Sequence, residues 1–80
     1  MPKLTKPTWK QELENISVEH LVSSFGVYSA QEAMYTGKKN PYSKKRLRYE
    51  YELIRRLGGS WEVYCAENGW TVEETEAWMK

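Results

Sequence analysis

Acid–base or nucleophilic chemistry in this 80-residue chain would have to be built from one histidine, one cysteine and glutamates, since the sequence contains no aspartate. A serine–histidine–acid triad would need glutamate as its third member. His20 falls inside an expected helix, three residues after a capping serine, where a structural or surface role is expected. Cys65 lies on an apolar helix face, the usual place of a thiol that behaves as a small buried hydrophobe. Glu73, Glu74 and Glu76 have the spacing of a solvated helix face rather than a cation site. No glycine-rich phosphate loop and no His/Cys metal spacing occurs. The chain is therefore not expected to be an enzyme or to carry a cofactor or metal, and function is sought in binding.

The charges suggest where binding would occur. Net charge is only +1, but eight of the twelve basic residues lie between Lys38 and Arg56. Residues 60–80 carry five glutamates against Lys80. One basic band and one acidic end imply an anionic partner for the first, unless the two neutralise each other within the fold or across a dimer. A single cysteine excludes an internal disulfide and fits a reducing, cytoplasmic setting. No apolar run approaches the roughly 20 residues of a membrane span, and MPKLTKPTW has no apolar signal-peptide core, so no membrane association is expected.

Helices must position these groups. Alternating strand patterns are absent, and the spacing predicts an all-α bundle of five to six short helices in one domain, 1–80, with 1–7 as a flexible arm. Thr8 with Gln11 forms a capping box for a helix over 9–16, and Ser17 caps a second over 18–25 that stops at Gly26. Ser29 with Glu32 opens a third, ending at Gly37. Asn40 followed by Pro41, or Ser43, starts the long basic helix over 43–57. Its Leu47, Tyr51, Ile54 and Leu57 fall on one line and are expected in the core. Ser60 caps a helix over 61–67, which stops at Asn68-Gly69, and Thr71 with Glu74 opens the last, with Val72, Trp78 and Met79 turned inward.

Two stretches read as helix–turn–helix units. In residues 17–41, Leu21, Phe25 and Val27 would hold two helices together around Gly26. This stretch resembles the helix-turn-helix region of the Cro/CI-repressor-like (Xre-like) family. The likeness is carried by Phe25-Gly26-Val27, by Gly37-Lys38-Lys39-Asn40-Pro41 and by Leu57-Gly58-Gly59-Ser60-Trp61, and it spans about residues 9–67. It implies a small DNA-binding regulator of transcription. Tyr28, Ser29, Gln31 and Tyr35 would then contact bases or sugars. Lys38, Lys39, Asn40 and Lys44 would contact phosphates, with Lys45 and Arg48 on the supporting basic helix. Such modules pair on two-fold sites, so a homodimer is possible on this reading.

The second stretch, residues 61–79, carries Glu73, Glu74 and Glu76 on its second helix and would repel DNA. Its acidity suits a basic protein partner, a dimer mate or simple solubility. The alternative to double-stranded DNA is thus a host protein. The chain would then be a small inhibitor or adaptor of phage or mobile-element type, acting by occlusion without catalysis. Trp9, Trp61, Trp70 and Trp78 are expected in the core, and tryptophans left exposed would favour a protein interface.

Overall fold

The computed structural model describes residues 8–80; the expected flexible arm, 1–7, lies outside them. Five helices follow in order: α1 (Trp9–Glu14), α2 (Val18–Met34), α3 (Pro41–Arg56), α4 (Trp61–Glu67) and α5 (Val72–Met79). No strand occurs among the described residues, and the fold is all-α as expected.

The helix starts follow local side-chain chemistry. The Thr8 hydroxyl accepts from the Gln11 amide while the Gln11 side chain accepts from the Thr8 amide, which completes the expected box. Ser17, Ser60 and Thr71 each accept from the amide three residues on. Asn40, not Ser43, caps α3: its Oδ1 accepts from the Tyr42 amide at 3.0 Å and Pro41 takes the first helical position, which lacks an amide to satisfy. Two helices stop on left-handed glycines. Gly58 has φ +80° and Gly69 φ +76°, a region where a side chain would collide with the backbone. In both, the next amide reaches back to the helix, Gly59 to the Ile54 carbonyl and Trp70 to the Cys65 carbonyl, each at 2.9 Å. The turn at Gly69 makes α4 and α5 a helix–turn–helix-like pair.

The expected break at Gly26 is absent. Residues 18–34 form one helix of 17 residues, and the Ser29–Glu32 box does not form. The reason is a register that runs through the glycine. Leu21, Phe25, Tyr28 and Glu32 recur at steps of four, three and four, and all are buried or half-buried on the side facing α3. Glycine in a helix costs about 1 kcal/mol, less than the packing that this continuous face secures. Of the residues expected to hold two helices together around Gly26, Leu21 is buried and Phe25 half-buried, but Val27 faces outward, as do Val18 and Val22.

α3 is the hub. α2 runs back along it, with the Tyr28 and Tyr49 rings 5.2 Å apart and Arg46 Nε donating to Glu32 at 2.8 Å. α1 packs through Trp9 edge-on to Tyr51, and Arg56 donates to the Leu13 and Glu14 carbonyls at 2.8 Å. The aromatic contacts continue from Tyr51 to Trp61, Tyr64 and Trp70, a chain of rings that fastens α4 and the α5 approach to α3. The Tyr64 hydroxyl donates to Glu50 at 2.7 Å, and burial together with that carboxylate pushes its pKa up to about 12. Of the expected apolar line on α3, Leu47, Tyr51 and Ile54 are buried or half-buried and Leu57 departs from it. Leu47 is buried, but Leu57 is 75% exposed because the helix ends at Arg56 and Leu57 is its cap. Glu52, by contrast, is 1% exposed and bound by Arg55 and Arg56.

Candidate interaction surface

The basic band is largely engaged within the molecule. Arg46 bridges Glu32 on α2 and Glu50 on its own helix. Arg55 and Arg56 close on Glu52. Arg48 donates to the Met79 carbonyl at 2.7 Å and lies over the Trp9 ring, and burial lowers its pKa from the ordinary guanidinium value. Lys44 donates to the Lys80 carbonyl. The last two contacts place cations at the C-terminal end of α5, where the helix dipole is negative. Half of the eight basic residues, Lys44, Arg46, Arg48 and Arg56, therefore hold helices together.

The ten residues marked from the sequence divide accordingly. Tyr28 packs on Tyr49, with Lys45 Nζ 5.7 Å above its ring, and burial raises the Tyr49 pKa. Ser29 is half-buried. Asn40 is occupied at both ends of its amide, capping α3 and donating to the Glu32 carbonyl at 2.9 Å. Tyr35 stacks edge-on to Tyr42 while remaining 40% exposed. Gln31, Lys38, Lys39 and Lys45 are exposed, and no hydrogen bond or ion pair is formed by them among the described residues. Lys38 and Lys39 lie in the α2–α3 loop rather than behind a separate recognition helix.

α2 presents a different surface. Its outward side exposes Val22 at 54%, Val27 at 53% and Met34 at 78%, beside Val18. Gly26, Ala30 and Ala33 lie between them, also exposed. The row Val18, Val22, Gly26, Ala30, Met34 advances four residues at a time, drifting about 40° per step across the face. Glu19 and His20 are exposed in its first turn, and from Leu21 onward the sole acid or base of α2 is Glu32, which faces α3 and binds Arg46. A solvated helix face normally carries charge, and an apolar one of this length marks a contact surface. No family model, curated protein or solved structure matches the chain. The surface itself is therefore the guide to function.

From the sequence Val18, Val22 and Val27 read as packing residues, because a break at Gly26 assigns them to two separate short helices that need an apolar side each. The available signal was the absence of Lys, Arg and Asp from residues 18–34. Among the described residues no group of His, Cys or Glu side chains is arranged to hold a metal ion, and no helix is long and apolar enough to cross a membrane.

Proposed function

We propose that this chain is a small non-catalytic protein-binding module that acts by covering a surface of its partner, with the outer face of α2 as the contact. The observation that carries this reading is the row of exposed apolar side chains from Val18 to Met34 on a helix without an outward cation. α3 and its ion pairs form the frame that holds α2 rigid, which reduces the ordering cost of association. The triple variant Val22→Glu, Val27→Glu, Met34→Glu tests it. These side chains are exposed, so the variant keeps its helical circular dichroism and melting temperature. The parent protein, used as bait in its native cells, retains a stoichiometric protein partner; the variant loses it by about tenfold or more. Equal capture by both proteins would sink the proposal.

One observation supports a second reading, association with duplex DNA: Lys38, Lys39 and Lys45 remain exposed and without ion pairs among the described residues. Three phosphate contacts give a salt slope of about −3, so affinity falls steeply between about 50 and 200 mM salt. Replacing the three lysines with glutamine abolishes a mobility shift on this reading and leaves protein capture intact on the first. No shift of any duplex at low salt rejects it.

A further inference from the structure

The second surface lies at the acidic end. A cleft of about 280 Å³ opens between α3 and α5, lined by Leu47, Trp70, Glu74, Thr75 and Trp78. Its floor is closed: Leu47 is 3% exposed and Thr75 6%, with the Thr75 hydroxyl donating to the Thr71 carbonyl. Its walls are open: Trp70 is 40% and Trp78 51% exposed. Trp78 was expected to pack inward, and it does not. Instead Met79 fills the interior and Trp78 stands at the mouth, with Lys44 Nζ 6.0 Å from its ring. Two tryptophans around a closed apolar floor form a socket of the kind that receives an anchor side chain.

The charge around the cleft decides what that anchor belongs to. Glu74 forms its rim and Glu73 adjoins it on α5, while Glu62 and Glu67 are exposed on α4. None of these four carboxylates is in an ion pair among the described residues, whereas Glu76 is held by Lys10. The basic residues of the neighbouring α3 are turned to other partners: Arg48 to the Met79 carbonyl, Lys44 to the Lys80 carbonyl and Arg46 to Glu32 and Glu50. Glu74 at the rim and Glu73 beside it are thus without ion pairs, facing a mouth whose Trp78 wall carries the Lys44 ammonium.

We propose that this cleft binds a basic amphipathic peptide segment of a partner protein, seating one leucine- or phenylalanine-sized side chain between Trp70 and Trp78 with flanking lysines or arginines against Glu73 and Glu74. The apolar floor supplies affinity and excludes water. The carboxylates select charge and speed encounter. This site is separate from the outer face of α2 and stands whether or not that face is used.

The probe is a synthetic amphipathic helix of about 14 residues built from leucine and lysine, with a leucine–glutamate counterpart, each carrying a fluorescent label. Fluorescence anisotropy with the intact protein reads the affinity. The leucine–lysine peptide binds and the leucine–glutamate peptide does not. Trp78→Ala weakens binding by about tenfold or more. The pair Glu73→Gln, Glu74→Gln weakens it severalfold and flattens its salt dependence. The α2 triple variant binds the peptide as the parent does, which separates this site from the proposed contact face. Equal binding of the two peptides, or no effect of Trp78→Ala in a protein of unchanged circular dichroism, overturns the proposal. So does sedimentation showing that the cleft is closed by a second copy, with self-association lost on Trp78→Ala.

Discussion

Glu52 is the residue on which the frame depends most. It is almost fully buried, and its carboxylate receives Arg55 Nη2 at 2.6 Å and Arg56 Nε at 2.7 Å. Arg56 in turn holds the Leu13 and Glu14 carbonyls, so one buried acid fixes the end of α1 against α3. Burial by itself raises the Glu52 pKa, but the hydrogen bonds and charges of the two arginines outweigh it and the net direction is down. The folded state therefore binds this proton less readily than the unfolded chain. The linked stability is fully present above the unfolded carboxylate value of about 4.3 and is lost as pH falls through the lower folded value. Glu52→Gln keeps the shape but leaves Arg56 without its charge partner, at an expected cost of about 3 kcal/mol at neutral pH. Urea titrations from neutral to acid pH check both points: the deficit of the variant narrows below about pH 4. A deficit that stays constant into acid would show that the ion pair contributes nothing.

At the scale of elements, the decisive case is α2. Gly26 in a helix interior, with nothing within 4 Å of the position a Cβ would take, makes Gly26→Ala a stabilising change of about 1 kcal/mol. In a left-handed turn between two helices the same change would destabilise. The sign of the shift in the thermal midpoint, about 4–8 °C upward for a domain of this size, distinguishes the two. Helix starts and stops are the elements legible in the sequence. Thr8, Ser17, Ser60 and Thr71 cap helices, and Gly58 and Gly69 end them, because these effects act within four residues. Gly26 has the same local look, yet its role depends on the Leu21–Phe25–Tyr28–Glu32 face meeting α3. That is a tertiary fact with no local signature. The same holds for the basic band: the partners of Arg48 and Lys44 lie 31 and 36 residues away. The tryptophans divide likewise, with Trp9 and Trp61 packed on Tyr51 and Trp70 and Trp78 left at the cleft mouth.

For the whole molecule, internal neutralisation reverses the impression given by composition. The arginines of α3 face inward or along the helix, and the surface presented by α4 and α5 is acidic. The apolar face on α2 and the acidic tryptophan cleft beside α5 are the two contact regions proposed above, and they lie on separate elements of a single frame. The ends of that frame are tied by Lys10 and Glu76, 2.7 Å apart and each 38% exposed. Such a pair contributes little: Lys10→Gln is expected to cost less than about 1 kcal/mol, and the difference shrinks in about 1 M salt. Thermal melts at low and high salt check this, and a larger, salt-independent loss would point instead to the packing of Lys10 on Trp9 and Tyr51. That bond also has a meaning in time. It joins residues 66 positions apart, so it can close only after α2, α3 and α4 have brought α1 and α5 into register. The α2–α3 and α4–α5 pairs can assemble from neighbouring segments alone, whereas the clasp between α1 and α5 closes the longest loop of any side-chain hydrogen bond among the described residues.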